Sequence, residues 1–404
     1  MTSEWHEAPL RELVGYISKG IAPSYAEEAS ETTIRVLNQK CNRNFRISYG
    51  DSRLHDTLKK KVPPERYVKP DDILINSTGA GTAGRIAQIE DVPSATTIDG
   101  HMILIRSNGK VTQKFLGYAL KAHQWEVLQL DEGSTGQTEL NRDRLLDEIM
   151  INYPVSFDEQ NAIVGTLESI DRKLIVNEQL NDNLQQQAAA IFRSWFVDYV
   201  PFGGTVPDEW KNVTLEDITT LVSRGITPKY ADDTGQIVIN QKCIRNHMID
   251  LSFARSHRPK VINNKWLQFG DLLINSTGDG TLGRAAQVWF QPHNLTVDSH
   301  VTIVRPAAEN MIFYIGLWGT QHEKEIESLH TGSTGQTELP RDRVKAIELL
   351  LPDKETLERF NALIAPMAAA IVSNQEENNR LASIRDALLP KLMSGKIDVS
   401  AIQL

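Results

Sequence analysis

The chain has 404 residues, of which 40% are apolar and 24% charged, with a formal net charge of −9. That length leaves room for two or three domains, each with its own core. No apolar run reaches membrane-spanning length and the start, MTSEWHEAPL, lacks the basic and apolar segments of a secretory signal, so a cytoplasmic protein with no membrane partner is expected.

Taken in order, residues 1–153 read as an α+β unit. IRVLNQK, DILINST, RIAQIE and MILIR are short, rich in Ile, Val and Leu, and bounded by turn residues, as strands are. A helix is predicted over residues 114–130. After Pro154, residues 154–200 form one long amphipathic helix. Its seam, at alternating steps of four and three, runs Ile163, Leu167, Ile170, Leu174, Asn177, Asn181, Leu184, Ala188, Ile191 and Trp195. Ser156 with Glu159 makes a capping box, and Pro201 with Gly203 and Gly204 stops the run.

Residues 201–351 then repeat the first unit. QIVINQK, DLLINST, AAQVWF and VTIVR take the strand positions, and a helix is predicted over residues 310–329. Residues 352–404 repeat the long helix, 197 positions on, with a seam from Phe360 to Leu392 that again carries two asparagines, Asn374 and Asn378. A seam asparagine costs stability and fixes register, because its buried amide must find a partner. If the helices pair antiparallel, Asn177 meets Asn378 and Asn181 meets Asn374. Pro366 is expected to kink the second helix and Pro390 to end it. The order domain, helix, domain, helix sends the second helix back along the first. The expected fold is therefore α+β, two duplicated globular domains joined by two long antiparallel coiled-coil-like helices and related by a pseudo-twofold.

Charge is unevenly spread. Between Arg43 and Lys69 eight Lys/Arg stand against three Asp/Glu, a balance of +5, and between Arg245 and Lys265 five stand against one, +4. Residues 155–200 hold three against seven, −4. Basic surfaces on an acidic body suit a DNA binder that also docks proteins. Solvated basic loops are the plainer reading of either segment alone.

The repeated motifs supply candidate contacts. Gln39, Lys40, Arg43 and Asn44 recur as Gln241, Lys242, Arg245 and Asn246, combining base-reading amides with phosphate-seeking cations. Ser77, Thr78 and Arg85 recur as Ser276, Thr277 and Arg284 around a glycine turn, where they either donate to phosphates or cap the turn. Gln137 and Gln336 sit in two identical copies of GSTGQTEL, as adenine readers or loop residues. Asp99-x-His101 and Asp298-x-His300 are too few ligands for a metal, so they read as structural or as DNA contacts. Gly79-x-Gly81-x-x-Gly84 imitates a dinucleotide fingerprint, but a strand-like segment follows it instead of the helix that would hold a pyrophosphate. Cys41 and Cys243 occupy equivalent places and read as packing residues, with neither a disulfide nor a zinc site implied. No phosphate loop for ATP, adenine-methyltransferase motif or nuclease carboxylate pair is recognisable, so no catalysis is expected.

Three segments carry a resemblance: FDEQNAIVGTLESIDRKLIVNEQL after Pro154, AIFRSWFVDYVPF at the end of the first helix, and the closing IRDALLPKLMSGKIDV. With the duplication, they make the chain resemble the specificity subunits of type I restriction-modification systems over nearly its whole length. The second helical region departs by lacking the Asp-Glu-Gln start and by carrying Pro366. The resemblance implies a non-catalytic subunit that binds double-stranded DNA at a bipartite target, one half per target-recognition domain. It implies docking of two methyltransferase subunits and, through the complex, restriction subunits. No cofactor is expected on this chain, S-adenosylmethionine belonging to the methyltransferase. Two similar readers related by a twofold predict a near-palindromic target. The alternative is a coiled-coil scaffold whose duplicated domains bind protein or RNA, and a nucleotide-dependent enzyme built on the glycine turn stands third.

Overall fold

The structure is a computed structural model, and it describes residues 4–79, 81–132, 139–232, 234–278, 280–332 and 337–399. It divides into two compact units, Met1–Leu174 with Asn379–Leu404, and Ile175–Asn378. The division cuts through both long helices, so each unit holds one copy of the globular domain and a piece of each helix.

In the first unit an antiparallel sheet runs in the order Val14–Lys19, Met102–Ser107, Ile73–Asn76, Ile86–Gln88. A second sheet joins Thr96–Ile98, Thr33–Leu37, Arg53–Asp56 and Tyr25–Ala26, its first pair parallel. Trp5–Pro9 pairs antiparallel with Met150–Pro154, so the start of the domain lies beside its end. The core collects Ile73, Ile75, Ile103, Ile105 and Phe115 with Ile163 and Leu167 of the first long helix and Leu389 and Leu392 of the second. Phe115 is wholly buried, a burial that contributes roughly 1.5–3 kcal/mol.

The second unit repeats this plan. Thr219–Arg224, Val301–Pro306, Leu272–Asn275 and Ala285–Gln287 form one sheet, Arg255–Ser256, Ile237–Ile239 and Leu295–Val297 the other, and Lys211–Thr214 pairs with Glu348–Leu351. Phe192 and Phe196 of the first long helix pack on Phe360 and Tyr314.

The long helices span Phe157–Phe196 and Lys354–Met393. Ser156 Oγ accepts from Glu159 N at 3.4 Å, while the Glu159 carboxylate accepts from the Trp5 indole. The second helix, without the Asp-Glu-Gln start, has its own cap: Asp353 accepts from Thr356 N at 3.0 Å and from the Trp210 indole. Within the second unit the two helices are antiparallel. Asn177 Nδ2 donates to Asn378 Oδ1 at 2.9 Å and to Glu377 Oε2 at 2.7 Å, and Asn374 Nδ2 donates to Asn181 Oδ1 at 2.8 Å. Within the first unit the antiparallel segments are tied by Arg385 and Asp171, at 3.1 Å. Asp171 also accepts from Tyr118 and Lys121.

Several expectations are corrected. Pro390 does not end the second helix, which continues to Met393. The helix runs through Pro366 as one element, which is compatible with the kink expected there. The predicted helices over 114–130 and 310–329 are each two helices, Gln113–Ala122 then Gln124–Val127, and Ile312–Gln321 then Glu323–Ser328, interrupted at His123 and His322. The strands read in IRVLNQK and QIVINQK stop at Leu37 and Ile239, and 3-10 turns Gln39–Cys41 and Gln241–Cys243 follow. Asn38 and Asn240 turn the chain there by accepting from Lys40 N and Lys242 N.

Candidate nucleic-acid interface

Each unit gathers its repeated polar residues around the glycine turn. The turn joins two antiparallel strands, Ile73–Asn76 with Ile86–Gln88 and Leu272–Asn275 with Ala285–Gln287. No helix follows the glycines, so the geometry is not that of a dinucleotide site. Gly79 and Gly278 have φ near +111° and +100°, and a Cβ on either would strike the side chain of Gln39 or Gln241. Glycine is required there on both counts.

Around this turn Thr78 Oγ1 lies 2.8 Å from His101 Nδ1, and Thr277 Oγ1 lies 2.7 Å from His300 Nδ1. Asp99 and Asp298 accept from the backbone N–H groups of His101 and His300, both at 2.9 Å. Burial pushes both aspartates up from the usual carboxylate range, the backbone bond working against it. They are turn-formers under the surface. Thr78 bridges to Glu139 and Thr277 to Glu338, which brings the end of each GSTGQTEL segment to the turn. Glu139 is held by Lys19 and Glu338 by Arg224.

The predicted contact residues divide by exposure. Lys40, Arg43, Asn44, Lys242, Arg245 and Asn246 are exposed, and Gln39, Thr78, Arg85, Gln241, Thr277 and Arg284 are half-buried. Arg85 and Arg284 donate to the carbonyls of Gly81 and Gly280, at 3.1 and 2.8 Å, and so brace the turn. Asn44 and Asn246 have positive φ, as do Phe45 and His247 after them, and each pair forms the two-residue tip of a hairpin. Ser77 and Ser276 are corrected: both are completely buried and cannot donate to a phosphate. Adjacent residues of an extended chain face opposite ways, so where the threonine reaches the surface the serine is turned inward. Gln137 and Gln336 lie outside the described residues.

The sequence reading missed two further features. Tyr25 and Tyr230 are exposed, and the guanidinium groups of Arg53 and Arg255 lie over their rings at 3.3 and 3.7 Å from the centroids. The recurrence of Tyr in GIAPSYA and GITPKYA was the available signal. Arg106 and Arg305 are spent on buried aspartates, Asp72 and Asp271, in bidentate pairs with every nitrogen to oxygen distance between 2.7 and 2.8 Å. These pairs tie neighbouring strands of one sheet in each unit and are unavailable to a ligand. Cys41 and Cys243 are buried free thiols, and burial pushes Cys243 up to about 11, as expected of packing residues.

Comparison with known proteins accords with this architecture. Residues 2–186 match the family model described as the type I restriction modification DNA specificity domain. The MjaIX type I restriction enzyme specificity subunit of Methanocaldococcus jannaschii is 26% identical, with 99% of this chain and 95% of that protein aligned. The HindI specificity subunit of Haemophilus influenzae is 21% identical over 98% of this chain and all of that protein. Among solved structures, the S subunit of a type I restriction-modification system from M. genitalium shares the fold, with a TM-score of 0.60 and 15% identity over 97% of this chain and 99% of that one. The chain is thus similar to type I restriction-enzyme specificity subunits along its length, and residues 2–186 match the model of that family's DNA specificity domain.

Proposed function

We propose that this chain is the DNA-recognition subunit of a type I restriction-modification complex. It reads a bipartite target, one half per unit, and leaves a spacer between the halves whose length the long helices set. At about 1.5 Å per residue, each 40-residue helix is roughly 60 Å long. The chain performs no chemistry itself. It docks two methyltransferase subunits, which bind S-adenosylmethionine, and restriction subunits join through the complex, in the cytoplasm. The observation that carries the reading is the appearance, once in each unit, of the same surface: a glycine turn, a Thr–His pair and a basic hairpin. Two such similar readers favour similar half-sites and a near-palindromic target.

The test is a map of methylated adenines in a host expressing the chain with its methyltransferase, set against the same host without the chain. A split motif that appears only with the chain is the expected result, and related halves would support the near-palindrome. Methylation that is the same with and without the chain overturns the reading. In that case the scaffold alternative would show partner binding that survives high salt, whereas DNA binding falls steeply as salt rises.

A further inference from the structure

We propose that Arg53 and Arg255 each read a guanine, one in each half of the target, with the guanidinium held for the task by Tyr25 and Tyr230. The inference rests on the DNA-recognition reading above and goes beyond it by assigning a base and a residue.

The two segments that contain these arginines, residues 46–69 and 248–265, are where the copies diverge most, yet Arg53 and Arg255 stand at the same place in both. So do their partners. Tyr25 lies opposite His55 in the antiparallel pairing, and Tyr230 bridges to His257. Each arginine is two residues before its histidine, on the same face of its strand and diagonal to the tyrosine. The guanidinium carbon stands over the ring in both units, 3.3 and 3.7 Å from its centroid.

In each other shared pair at least one arginine is already engaged, Arg341 by Asp342 among them. Arg106 and Arg305 pair with buried aspartates, Arg85 and Arg284 brace the glycine turns, and Arg43 donates to the Lys40 carbonyl. Among the described residues, Arg53 and Arg255 are the shared pair in which neither side chain has a hydrogen bond or an ion pair. Both are exposed.

Stacking decides what such a group is suited to. A guanidinium resting on an aromatic face has its plane fixed while its N–H fork stays free, and the entropy of fixing it is lost before any ligand arrives. A phosphate accepts from any cation and gains little from a fixed plane. Guanine presents two acceptors, O6 and N7, side by side in the major groove, and a planar fork meets both. Lysine has no fork, so Arg→Lys separates geometry from charge.

The experiment uses the full chain and a pool of duplex DNA with randomised positions, from which bound sequences are recovered and read. The wild-type chain should recover a split motif containing a guanine in each half. Arg53→Lys should relax the preference at one position of one half by about tenfold or more, leave the other positions alone, and keep the thermal midpoint. Arg255→Lys should do the same in the other half, and Tyr25→Leu should weaken the position that Arg53→Lys weakens. An equal loss of affinity for all sequences, with a shallower salt dependence and unaltered base preferences, would mean phosphate contacts and overturn the assignment. So would unchanged binding. If the wild-type chain recovers no motif at all, the DNA-recognition reading itself fails.

Discussion

Asp171 faces three donors within the first unit, Lys121, Tyr118 and Arg385, at 2.9 to 3.1 Å. Burial alone would push its carboxyl up, but Lys121, Arg385 and Tyr118 outweigh it and hold the group below the usual aspartate range. A carboxylate whose value is lower in the folded than in the unfolded chain contributes stability that is complete above the unfolded value and is lost as the pH falls through the folded one. The wild-type chain should therefore lose stability below about pH 4, and Asp171→Asn should flatten that limb while lowering stability at neutral pH. Chemical unfolding at several pH values checks both. Other features at this scale were harder to see in the sequence. The Asp72–Arg106 and Asp271–Arg305 pairs each join residues 34 apart in the chain, and no local pattern announces such a partnership. Ser77 and Thr78 looked equally available, and only the direction of the preceding strand decides which hydroxyl faces inward.

At the scale of elements, the long helices were legible because period and punctuation agree: an apolar seam, a Ser–Glu start and a Pro-Gly-Gly stop. Their interruptions were not. Proline marks where a helix loses a hydrogen bond, yet whether the helix ends there depends on the packing beyond it, and Leu392 and Met393 pack into the first unit's core. Pro366 is a sharper case, since it is exposed in the interior of a continuous helix and its ring fills no core position. Pro366→Ala should raise stability by about 1–3 kcal/mol, seen as a higher denaturation midpoint with unchanged cooperativity. The divided helices at His123 and His322 escaped for the opposite reason, because an unbroken polar–apolar pattern conceals a break that tertiary packing imposes.

At the scale of the whole molecule, the duplication was the most legible feature, since shared words such as LINSTG and GSTGQTEL need no structure to be seen. Which strands neighbour which was not legible: Trp5–Pro9 pairs with a strand some 140 residues later, and sequence patterns carry no record of such distant pairings. Duplication also creates a hazard that the seam asparagines do not remove. The first long helix of one molecule, laid antiparallel on the first long helix of another, would bring Asn177 to Asn181 and Asn181 to Asn177, as well matched as the internal pairs. What differs is the level of Asp171 and Arg385, whose equivalents in the second unit are Ala368 and Ala188, both buried. Two first helices together would set Asp171 against Ala188, and two second helices would set Arg385 against Ala368, so each would lose its partner on the facing helix and keep only its neighbours, Lys121 and Tyr118 for Asp171 and Asp386 for Arg385. The Asp171–Arg385 pair therefore works as a self-avoidance code: it forms when a chain folds on itself and is lost when like helices meet. Replacing both Asp171 and Arg385 by alanine should let the full chain self-associate as its concentration rises, a change that sedimentation would detect and the wild-type chain should not show.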